Sequence, residues 1–127
     1  MKYEPKYFAL REFKCSDCGA VLISSSLVFW LDMIRRAAGA PITVTSGFRC
    51  AKHNARVGGA QTSRHMIGCA SDISIARPIS YSAFVEISAR FKVDGGEFVS
   101  YPEDAFIHFA VPRIEAEKTW DGGTMYL

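Results

Sequence analysis

His65, Asp72 and His108 are the residues of this chain whose types and spacing could do chemistry. The first two lie in Ser63-Arg64-His65-Met66-Ile67-Gly68-Cys69-Ala70-Ser71-Asp72, and the third in Phe106-Ile107-His108-Phe109. Two neutral imidazoles and one carboxylate suit Zn²⁺ with a fourth position left for water, the pattern of a catalytic rather than a structural site. The same donors also build Fe(II) triads, in which the first His and the carboxylate usually stand two residues apart. Here His65 and Asp72 stand seven residues apart, which favours zinc. The chain has only three histidines, so two of them falling in this pattern carries weight.

The elements around these residues must bring them together. Ala70 to Ile75 reads as a strand with Ala70, Asp72 and Ser74 on one face and Ile73 and Ile75 on the other. Ala105 to Val111 reads as a second strand, with Phe106, His108 and Ala110 opposed by Ile107, Phe109 and Val111. With the branched and aromatic faces in the core, Asp72 and His108 project together from the other side. Small neighbours at Ala70, Ser74 and Ala110 leave room there, and His65 reaches in from the preceding turn. Glu97 to Tyr101 is a further strand, joined to the last by a tight turn at Pro102-Glu103-Asp104. Ser25 or Ser26 caps a helix to about Ala38, with Leu27, Leu31, Ile34 and Ala38 as its buried stripe and Asp32 mostly off it. Gly39 stops that helix and Pro41 prevents re-entry.

Ile42 to Thr45 is a short strand, residues 49–57 a short helix, and Pro78 and Ser80 open another with Phe84, Ile87 and Phe91 inward. Residues 1–24 are irregular with short extended pieces, and the tail is a loop or a last edge strand. Helices precede and separate strands without βαβ alternation, so the expected class is α+β, a small antiparallel sheet packed with helices in one domain spanning 1–127.

Of the 127 residues, 15 are Lys or Arg and 13 are Asp or Glu, giving a net charge of +2. With no basic run, that balance argues against a nucleic-acid partner. No apolar stretch is long enough to span a bilayer. The polar start, Met1 to Lys6, lacks the apolar segment of a signal peptide, so the expected site of synthesis is a cytoplasm, with release or another export route needed to reach a cell wall. A monomer is expected. Cys15-Ser16-Asp17-Cys18 has zinc-knuckle spacing, whereas Cys50 and Cys69 have no partner in the sequence. Buried thiols are the default for these cysteines, with a structural zinc or a disulfide as the alternative.

Ser46-Gly47-Phe48-Arg49, then Ser63-x-His65-x-x-Gly68-x-Ala70-x-Asp72, then Phe106-Ile107-His108 resemble the zinc D-Ala-D-Ala carboxypeptidase and L-alanyl-D-glutamate endopeptidase family, peptidase family M15. Many phage endolysins and the zinc-binding Hedgehog signalling domain share that fold. The resemblance runs from about Phe8 to Trp120. It implies that His65, Asp72 and His108 ligate Zn²⁺. It implies that Arg49 holds a substrate carboxylate or the oxyanion, with Asn54 ordering the loop and Ser63 and Gln61 supporting the ligands. The substrate it implies is a peptide bond of a peptidoglycan stem peptide.

Relatives place an acidic general base shortly before the last histidine, often three residues earlier, where this chain has Ala105. Glu103, then Asp104, are the nearest acids and the expected replacements. Many relatives also carry Asp or His two residues after that histidine, where this chain has Ala110. These two departures motivate a rival reading, a catalytically weak zinc-binding module for wall recognition or virion assembly. A cysteine hydrolase using Cys50 or Cys69 is a third.

Overall fold

The computed structural model describes residues 1–113 and 118–127. Its main sheet has the order β2-β3-β5-β4, from β2 (Ile42–Ser46), β3 (Ala70–Ile75), β4 (Glu97–Tyr101) and β5 (Phe106–Ala110). Every neighbouring pair is antiparallel. A second, two-stranded sheet joins β1 (Lys2–Tyr3) to β6 (Met125–Tyr126), so the tail is indeed an edge strand. With α1 (Ser25–Ala38), α2 (Ala51–Arg56) and α3 (Tyr81–Ala89), this is the expected α+β architecture. No helix among the described residues is long and apolar enough to cross a membrane.

Strand alternation sorts the sheet into two faces. Ile73, Ile107 and Phe109 are fully buried and share one apolar cluster with Leu27, Val28, Leu31 and Ile34 of α1 and Phe84 of α3. Each such aliphatic side chain contributes about 1.5–3 kcal/mol on burial. Cys69 is also fully buried in this cluster. Asp72 and His108 stand on the opposite face.

α1 begins one residue earlier than its serines suggest. Ser24 is the cap, its Oγ accepting from Leu27 N–H, and Gly39 ends the helix with φ of 68°. Asp32 does not point to solvent. It is wholly buried because the N-terminal segment wraps over that side of the helix, and its carboxylate accepts from Tyr7 N–H at 3.0 Å and from the Tyr3 hydroxyl. The sequence pattern of α1 alone could not reveal a partner some twenty-five residues away.

Candidate metal centre

Three local structures deliver the three residues. Ser63-x-His65-x-x-Gly68 folds as a 3₁₀ turn over Arg64–Ile67. Ser63 Oγ accepts from His65 N–H at 3.2 Å, and Gly68 closes the turn at φ of 74°. A Cβ on Gly68 would stand 2.5 Å from the Leu22 carbonyl oxygen, so both the dihedral and the space require glycine. Asp72 of β3 and His108 of β5 are directly opposite each other in the antiparallel register. Their side chains therefore share a face at short range. On the other side of β3, an irregularity between Val44 and Ser46 sets Ser46 opposite Asp72.

The corner Ser46-Gly47-Phe48-Arg49 then encloses His65. Gly47 lies against the backbone of Phe13, where a Cβ would come within 2.6 Å of its Cα. The Gly47 carbonyl accepts a hydrogen bond from His65 Nδ1 at 2.8 Å. A carbonyl oxygen can only accept, so Nδ1 carries the proton and the lone pair of the neutral ring is on Nε2. That Nε2 faces Asp72 Oδ1 at 3.3 Å. His108 is oriented in the same way by a different group. Its Nε2 is 2.9 Å from Glu97 Oε1, and its Nδ1 is 3.1 Å from the same Asp72 Oδ1. With Nε2–H donating to a carboxylate, the neutral ring presents its Nδ1 lone pair to Asp72.

Three acceptor atoms thus converge, all within 4.8 Å of one another. Such an arrangement calls for a cation between them. A proton on His108 is one solution, and a metal ion held by His65, Asp72 and His108 is the other. The donor chemistry fits zinc, and the Gly47 carbonyl and Glu97 are the outer partners that metal-binding imidazoles need.

The charges around the site follow from these contacts. Burial works against ionisation of Asp72, but the imidazoles of His108 and His65 beside it outweigh that and hold its carboxyl at about 2. Burial likewise opposes charge on His108, and the bonds to Asp72 and Glu97 override it and raise its pKa. Burial opposes charge on Glu97 too, and His108 and Arg64 lower its pKa.

In metal-free protein, Asp72 contributes stability that is present above its unfolded value of about 4 and is lost as pH falls toward about 2. His108 contributes stability that is present below about 6.5 and is lost as pH rises through its raised folded value. Chelator-treated protein should therefore melt at its highest temperature between about pH 4 and 6.5, with a fall on either side in a thermal scan. A melting temperature that falls neither below about pH 4 nor above about pH 6.5 would break the assignment of this ion pair.

Arg49 joins the same carboxylate from the side. Its guanidinium donates to Asp72 Oδ2 at 3.2 Å, Ser46 Oγ at 3.0 Å and Asn54 Oδ1 at 3.4 Å. Asn54 is buried and donates to the Ala60 carbonyl at 2.8 Å, which ties α2 to the glycine loop beside the site. A cavity of about 480 Å³ opens over these groups, lined also by Arg64, Arg113, Tyr101 and Phe106.

His65, Asp72, His108, Arg49 and Ser63 all line the cavity, as does Glu97, which sequence reasoning missed. Glu103 and Asp104 do not. They are exposed in the four-residue turn at the tip of the β4–β5 hairpin. Gln61 is exposed and also outside the lining. Neither Cys50 nor Cys69 borders the cavity, so among the described residues no thiol lines it to act as nucleophile there.

A family model described as Peptidase M15 matches residues 6–110. No curated protein matches the chain. The matched span runs from the N-terminal segment to the end of β5, includes all three converging residues, and shows that the chain belongs to the peptidase M15 family.

Proposed function

We propose that this chain is a zinc-dependent peptidase that hydrolyses a peptide bond in peptidoglycan stem peptides. The observation that carries this reading is the convergence of the His65 Nε2 and His108 Nδ1 lone pairs on Asp72 Oδ1, each ring locked by an acceptor on its other nitrogen. Zinc held by these three residues would supply a Lewis acid and a water whose pKa is lowered toward about 7.

The chain's own residues account for the remaining tasks. Arg49, Arg64 and Arg113 make the cavity wall cationic, which suits a peptide bearing free carboxylates. Arg49 is anchored at three points and offers a planar fork of donors to a substrate carboxylate or a developing oxyanion. Tyr101 and Phe106, stacked at 4.6 Å, give the cavity an apolar flank for side chains of the peptide. Glu97 holds His108 in the tautomer the site needs. Among the described residues, Asp72 and Glu97 are the only carboxylates lining the cavity. With Asp72 committed to the metal, Glu97 is the group placed to accept a proton from water, directly or through one further water, and to return it to the leaving amine.

The test is hydrolysis of purified stem peptides. Release of a new amine terminus should be abolished by a chelator and restored by Zn²⁺. Products from peptides with and without a terminal D-Ala-D-Ala then separate carboxypeptidase from endopeptidase action. Zinc bound at the triad with no cleavage of any stem peptide would favour the rival reading, a binding module.

A further inference from the structure

We propose that Cys15, Cys18 and Cys50 form a second metal site, a thiolate site for a structural zinc or a similar soft cation, distinct from the His65–Asp72–His108 centre. The three sulfurs lie within 4.8 Å of one another. Cys15 and Cys18 come from one turn and Cys50 from a remote part of the chain, at the start of α2.

The turn has the build of a metal knuckle. Cys15 N–H donates to the Ala20 carbonyl at 2.7 Å, and Gly19 N–H donates back to the Cys15 carbonyl at 2.9 Å. Gly19 sits at φ of 77°, where a side chain would be strained. This closed loop aims the Cys15 and Cys18 sulfurs at Cys50, which is the cap residue of α2 and accepts from His53 N–H through its own sulfur.

The separation of the sulfurs suits ligation of one metal ion and not a disulfide. The Cys15 and Cys50 sulfurs are 3.8 Å apart. A tetrahedron with metal–sulfur bonds of about 2.3 Å has an edge of about 3.8 Å. A disulfide needs about 2.05 Å. Binding one divalent cation displaces the thiol protons to solvent and leaves the fourth position for water or another donor.

The consequence is structural. Cys15 follows Phe13 by two residues, and the Phe13 carbonyl accepts from Phe48 N–H at 2.8 Å. Cys50 directly follows Arg49. A metal on the three sulfurs would therefore staple the N-terminal segment to the corner that supplies Arg49 and the Gly47 carbonyl behind His65.

The test uses cobalt(II) on the full chain purified without reductant. In a His65→Ala/His108→Ala variant, which lacks the first centre, one equivalent of cobalt should still bind, with a thiolate-to-cobalt charge-transfer band in the near ultraviolet. Cys18→Ser in that background should lose the band. Cys18 is exposed, so this variant should keep its circular dichroism. Denatured wild-type protein should titrate four thiols. Cobalt binding without the thiolate band, no binding in the double variant, or two thiols missing through a Cys15–Cys50 disulfide would each overturn the proposal. Because the readout is metal binding at residues outside the triad, its failure is separable from failure of the peptidase reading.

Discussion

Replacing His108 with alanine is expected to remove the metal from the triad and lower stem-peptide hydrolysis by about a thousandfold or more while the sheet stays folded. The size follows from what is lost. Lewis-acid stabilisation by a bound metal amounts to several kcal/mol, and about 1.36 kcal/mol is a factor of ten in rate. The fold should survive because β5 is held by Ile107 and Phe109, which face the core, whereas His108 faces the cavity. Asp72 keeps His65 and Arg49 as partners in the variant, so its charge is not left bare. Metal content by elemental analysis and kcat/KM on a stem peptide check the prediction together. A variant that stays active and insensitive to chelator would show that hydrolysis does not need this imidazole.

Glu97→Gln is expected to keep the metal and lose most of the rate. Glutamine retains an oxygen that can accept from His108 Nε2–H, so the ring should stay oriented. It loses the charge and the basicity, and removing a general base costs about 10²–10⁴ in kcat. Glu97→Ala removes the orienting oxygen as well and should weaken metal binding by about 10–100-fold. Glu103→Gln and Asp104→Asn should remain near wild type, because both side chains lie outside the cavity. Full activity in Glu97→Gln, combined with loss in Glu103→Gln or Asp104→Asn, would move the proton-handling role back to the hairpin tip.

The difference between these acids shows what the sequence could and could not disclose. Alternation within β3 and β5 was legible, and it put Asp72 and His108 on one face with Ile73, Ile107 and Phe109 on the other. The hairpin register was not. A three-residue turn at 102–104 would pair Tyr101 with Ala105 and leave Glu97 on the wrong face for His108. The structure instead uses a four-residue turn with Ala105 at φ of 55°, pairing Tyr101 with Phe106 and Val99 with His108. A shift of one residue inverts every side chain on a strand. It brings Glu97 to the His108 face, opposite Ala110, whose small side chain leaves it room.

Ala110 therefore reads differently in three dimensions. Where the family resemblance leads to an expected Asp or His two residues after the last histidine, this chain has the methyl group of Ala110. The cross-strand neighbour Glu97 then brings a carboxylate to the same imidazole. The burial of Asp32 was hidden for a related reason. Helical periodicity describes which side of α1 meets the sheet but not which side the N-terminal segment later covers. Motif spacing, by contrast, encodes local geometry: Ser63, His65 and Gly68, legible in the sequence as parts of one motif, prove to be the cap, the inward imidazole and the left-handed stop of a single turn.

The most direct test of the central claim is a crystal of the zinc-loaded protein, with diffraction recorded on both sides of the zinc absorption edge. An anomalous peak is expected among His65 Nε2, Asp72 Oδ1 and His108 Nδ1, vanishing below the edge. No peak at that position in protein carrying two equivalents of zinc, enough to fill the cysteine site as well, would contradict the claim.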